Sequence, residues 1–192
     1  DHAGAASGPA GRVAAAVTER DPDLDLSGFC LWVTGKPYAD VEDDYGQDLL
    51  SFETTMCTPS STLRGSGTLS AARLAVFSRD LTDIVDTLDG EAILEAHEGG
   101  TVLVLTLTMR PLGHVEAELS LRFGYDEDHR IAWSLDQTYL SPLARQVRML
   151  VAAYPSPYPA SILERVKAVE PQRSGLTTRL LNAIFGAPTG PI

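Results

Sequence analysis

Cysteine is nearly absent from this chain: two residues in 192, Cys30 and Cys57. Their spacing fits neither a metal-ligand pair nor a redox motif. That excludes a disulfide framework and a cysteine metal centre, and both are read as buried free thiols in a reducing cytosol. Basic side chains are scarce as well, 15 against 26 acidic ones, for a formal net charge of -11. Phosphate recognition needs a basic surface, so nucleic acid is excluded as a direct ligand. No apolar run is long enough to span a bilayer. The start, Asp1-His2-Ala3-Gly4, has neither the basic nor the apolar region of an intact signal peptide, and without Met it reads as a trimmed N-terminus.

Catalytic signatures are missing too. There is no phosphate-binding loop, dinucleotide fingerprint or zinc-protease motif. Gly65-Ser66-Gly67 falls short of a nucleophile elbow, and His114-Val115-Glu116 lacks the cysteine half of a zinc deaminase site. His129, in Asp126-Glu127-Asp128-His129, reads as a polar turn residue. No catalytic residue, cofactor or metal is assigned.

What is present is acid in one place. In Tyr38-Ala39-Asp40-Val41-Glu42-Asp43-Asp44-Tyr45 four of eight residues are carboxylates, aromatic rings bracket them, and Asp48 follows. Unpaired carboxylates are almost never fully buried, so this segment is expected to be an exposed loop with a strong negative field. Asp40, Glu42, Asp43, Asp44, Tyr45 and Asp48 are the candidate partner-binding residues. The alternation of Asp40, Glu42, Asp44 and Gly46 hints at a calcium loop, but the closing bidentate Glu is lacking.

Around this loop the pattern is mostly strand. Phe29, Leu31 and Val33 share one face; Leu50, Phe52, Thr54 and Met56 share another. A short third strand is expected at residues 62–64, weakened by Gly65 and Gly67. Residues 69–88 carry Leu74, Phe77, Leu81, Ile84, Val85 and Leu88 at helical spacing, with Thr68 or Ser70 as cap and Gly90 as closing residue. Three long strands follow at residues 102–110, 115–123 and 131–139, the last placing Ile131, Trp133, Leu135 and Tyr139 on one face. Ser141-Pro142 opens a second helix, whose buried stripe is Leu143, Val147, Leu150, Val151 and Tyr154.

The expected architecture is α+β: an antiparallel β-sheet of about six strands with two helices packed on one face. Residues 1–26 are expected to form a loosely ordered arm, residues 27–155 the domain, and residues 156–192 a Pro-led tail with short helices.

The order of these features resembles the WapI-type immunity proteins of bacterial contact-dependent polymorphic toxin systems, over roughly residues 29–155. The resemblance rests on Ala39-Asp40-Val41-Glu42-Asp43-Asp44-Tyr45 followed by Leu49-Leu50, and on Leu74-Ala75-Val76-Phe77 with Leu81. It extends through Glu95-Ala96-His97-Glu98 before a strand, and Leu143-Ala144-Arg145-Gln146-Val147 with Tyr154-Pro155. Where the family often has Asn-Trp after the acidic loop, this chain has Gln47-Asp48-Leu49. The resemblance implies a cytoplasmic protein, not an enzyme, that binds and blocks a toxin domain. A basic nuclease domain is the complement that the charge suggests. Two other classes fit the residues alone: a diverged hydrolase or metal-dependent enzyme using the acidic loop, and a non-catalytic scaffolding module.

Overall fold

The computed structural model describes residues 20–38, 44–96, 101–124 and 127–158. The α+β expectation holds, with eight strands among the described residues where about six were expected. They form two antiparallel sheets of four strands, each a meander of consecutive strands. The first sheet contains β1 (Leu24–Leu26), β2 (Phe29–Gly35), β3 (Leu49–Cys57) and β4 (Thr62–Ser70). The second contains β5 (Glu91–Ala96), β6 (Thr101–Arg110), β7 (His114–Phe123) and β8 (Glu127–Asp136). Among the described residues three α-helices accompany them: α1 (Asp44–Asp48), α2 (Ala71–Thr87) and α3 (Leu140–Ala153). Helix α2 lies against β4, β5 and α3, and α3 also touches β1. One hydrophobic cluster draws on both sheets and on both long helices.

Strand alternation sets which residues enter this core. Leu103, Leu105, Leu107 and Met109 of β6 face inward beside Val115, Ala117, Leu119 and Leu121 of β7. The first sheet contributes Phe29, Leu31, Val33, Leu50, Phe52 and Met56.

Five local departures from the sequence reading have physical causes. First, residues 24–26, expected in the arm, form β1 with Leu24 and Leu26 fully buried. The turn to β2 is Ser27-Gly28, both at positive φ (48° and 99°), the geometry that matches the right-handed twist of a tight hairpin. Secondly, β4 runs on through both glycines. A Cβ on Gly65 would lie 3.0 Å from the Phe123 ring and 3.4 Å from the Thr101 methyl, so the bare backbone lets β4 approach the second sheet. Gly65→Ala is expected to cost ~1–2 kcal/mol through overpacking; a denaturation midpoint equal to wild type would show that the ring gives way freely.

Thirdly, α2 is capped by Ser70, whose hydroxyl accepts from the Arg73 N–H. Its C-cap is Leu88 in the left-handed conformation, not Gly90. The turn throws Leu88 outward, so the last apolar residue of the predicted stripe is exposed. Fourthly, β8 starts at Glu127, which puts His129 in a strand. Its ring meets Phe123 edge-on at 5.8 Å. Leu135 is buried, Ile131 and Trp133 are half-buried, and Tyr139 is exposed because a 3-10 turn, Gln137–Tyr139, replaces the strand end. Finally, this turn takes over the capping expected of Ser141. The Asp136 carboxylate accepts from the Thr138 N–H at 2.9 Å, and that bond holds its pKa below the usual value.

Candidate partner-binding surface

Strand β2 ends at Gly35, where the register with β3 shifts, and the chain leaves the sheet through Lys36-Pro37-Tyr38. It returns as α1, which runs directly into β3. Asp40, Glu42 and Asp43 lie between these legs and outside the described residues. Asp44 is exposed in the first turn of α1. The bracketing rings are both outward: Tyr38 is 50 % exposed and Tyr45 57 %. Lys36 Nζ reaches Gln47 Oε1 at 3.5 Å, tying one leg to the other.

Asp48 behaves differently from the exposed Asp44. It is only 3 % exposed. One oxygen accepts from the Ala72 N–H at 3.0 Å and from the Ser156 hydroxyl at 2.8 Å, and the other accepts from the Ser70 hydroxyl. Ser156 Oγ in turn accepts from the Tyr158 N–H at 3.1 Å. The residue grouped by sequence with the partner-facing acids is therefore spent on three contacts within the chain. It fixes the second leg of the loop to the start of α2, where a negative charge is favoured by the free N–H groups. Ser70 was legible as a cap, but Ser156, 108 residues from Asp48, had no sequence signal linking it to this site.

Among the described residues, the remaining titratable groups show no convergence on a reaction site. His114 pairs across the strands with Asp136. An open cleft of about 240 Å³ is lined by Val85, Leu88, Gln137, Thr138, Leu140 and Ser141, none of them a general acid or base. Among the described residues, no group of three or more His, Cys, Asp or Glu is placed to hold a metal ion. No helix among them is long and apolar enough to cross a membrane.

The thiols are free, but they are not both buried. Cys30 is half-buried and Cys57 is exposed. Both belong to the outer face of the first sheet, because Leu31 and Met56 beside them turn inward. Burial chiefly, then the neighbouring Asp25 and Cys57, push the Cys30 thiol pKa up.

A two-sheet α+β domain in which exposed Tyr38, Asp44 and Tyr45 flank an acidic stretch of sequence has the makings of a contact protein. The model of the immunity protein WapI-like family matches residues 23–155, from just before β1 to just after α3, and the chain belongs to this family. Membership supports the role of an immunity protein and makes a toxin protein its partner. Comparison with curated proteins and with solved structures gives no match.

Proposed function

We propose that this chain neutralises a basic toxin domain in the bacterial cytoplasm by setting the segment Asp40, Glu42, Asp43 and Asp44, with Tyr38 and Tyr45, against it. A nuclease is the toxin that the charge favours, since its substrate-binding surface must attract phosphate. The observation that carries the reading is the pair of exposed rings flanking an acidic segment whose far leg is anchored by a buried carboxylate. Exposed tyrosines supply contact area at low entropic cost, and carboxylates supply charge complementarity. Asp48 belongs in this reading as a positioning residue.

Changing Asp40, Glu42, Asp43 and Asp44 together to Lys is expected to weaken binding of the cognate toxin domain by about tenfold or more, with little change in melting temperature. Calorimetric titration beside a thermal melt reads both quantities. Unchanged affinity in a folded variant would sink the proposal. The same charge should steer association: residues 1–154 carry 11 basic and 24 acidic side chains. Stopped-flow association should therefore slow by roughly tenfold between low and high salt.

A further inference from the structure

Four strands lie at the margins of the two sheets, and three of them are protected. β1 is three residues long, and its Asp25 N–H donates to the Gln146 side chain at 3.1 Å. β4 and β5 touch each other and both touch α2. β8 is the exception. It is ten residues long and pairs with β7 without a bulge. Among the described residues no backbone group bonds to its outer edge. It contains no proline or lysine, and Ile131-Ala132-Trp133-Ser134-Leu135 is uncharged. Long, flat edges of this kind template strand addition, and proteins ordinarily blunt them.

The inner face of β8 is also unfinished. Ile131 and Trp133 are only half-buried against the core, and the Trp133 indole N–H is shielded from water without a hydrogen-bond partner among the described residues. A buried donor left unmatched is unfavourable.

We propose that two copies of this chain associate edge to edge through β8, antiparallel and centred on Trp133. The charge pattern of the strand selects both the occupant and the register. A twofold axis normal to the joined sheet keeps each face continuous, so it must place residues of the same parity opposite one another. Centring on Ala132 sets Asp128 against Asp136, a repulsive pair on each side of the axis. Centring on Trp133 sets Arg130 against Asp136 twice, Ile131 against Leu135 twice, and the two Trp133 rings against each other. Arg130 is free to serve: it is well exposed and now pairs only loosely with Asp128, at 3.5 Å. The acidic segment belongs to the other sheet, so the pair carries two toxin-binding segments.

Sedimentation velocity on the full chain at physiological salt, where self-repulsion is screened within about 8 Å, tests this. The wild type is expected to move from monomer to dimer across a concentration series. Arg130→Asp and Asp136→Arg are each expected to weaken homodimerisation by tenfold or more, with far-UV circular dichroism confirming their folds. An equimolar mixture should recover wild-type affinity, because the mixed pair restores both attractions only in this register. A wild type that stays monomeric overturns the proposal, even if both variants then lose toxin binding, which would assign the edge to a toxin strand. Variant homodimers as tight as the wild type overturn it as well.

Discussion

Asp48→Ala is expected to cost ~3–4 kcal/mol of folding stability, although the residue is one acid among many in its stretch of sequence. The substitution removes a buried carboxylate that accepts from the Ala72 N–H and from the Ser70 and Ser156 hydroxyls. Hydrogen bonds to a charged group are worth about 1.5–3 kcal/mol each before compensation, and a donor left buried without a partner is costly in itself. Rearrangement of the two hydroxyls toward water recovers part of the loss. The Ala72 N–H, in the first turn of α2, has no such freedom.

Asp48→Asn separates shape from charge. Its carbonyl oxygen still accepts from Ala72 and Ser156, but its amide cannot accept the Ser70 proton, so a loss of about 1–2 kcal/mol is expected. Urea denaturation of the three proteins reads these differences directly. A loss under about 1 kcal/mol for the alanine variant would mean that water replaces the carboxylate without difficulty.

Phe77→Ala should be costlier, at ~3–5 kcal/mol. Phe77 is fully buried in the middle of the α2 stripe, between Leu74 and Leu81. Alanine is the best helix former, so the helix itself should persist and the whole loss should report the emptied volume. Melting temperature should fall with it, by several degrees per kcal/mol. A circular dichroism spectrum with intact helix and a loss below ~2 kcal/mol would indicate that α2 settles into the gap.

The α2 stripe is also where the sequence was most readable. Leu74, Phe77, Leu81 and Ile84 repeat at helical spacing because they meet a single core. Their neighbour Leu88 keeps the spacing yet faces solvent, since the left-handed cap is a backbone event that periodicity does not record. β6 and β7 were legible for a similar reason, one clean apolar face each. β4 was not: Gly65 looks like a strand breaker until the Phe123 ring of the other sheet is in place. β5 was hidden because Glu91-Ala92-Ile93-Leu94-Glu95-Ala96 is composed largely of good helix formers, and only its pairing with β6 makes it a strand. Nor does alternation state which strands join which sheet, so two sheets were read as one.

For the candidate surface, the exposure of Tyr45 and Asp44 follows from local chemistry and was legible. The burial of Asp48 depends on Ser156, which no local pattern connects to it.

The meander order of the two sheets has a kinetic consequence. Among the described residues every strand pairs only with its neighbour in the chain, so every hairpin but β2–β3 closes a short loop. Such contacts of low sequence separation can form early and independently. The later step is expected to be the docking of one meander on the other through α2 and the gap at Gly65, sealed when the Ser156 hydroxyl reaches Asp48, 108 residues away in the chain. An interaction made that late slows unfolding more than it speeds folding. The Asp48 latch is thus expected to lengthen the lifetime of the folded state.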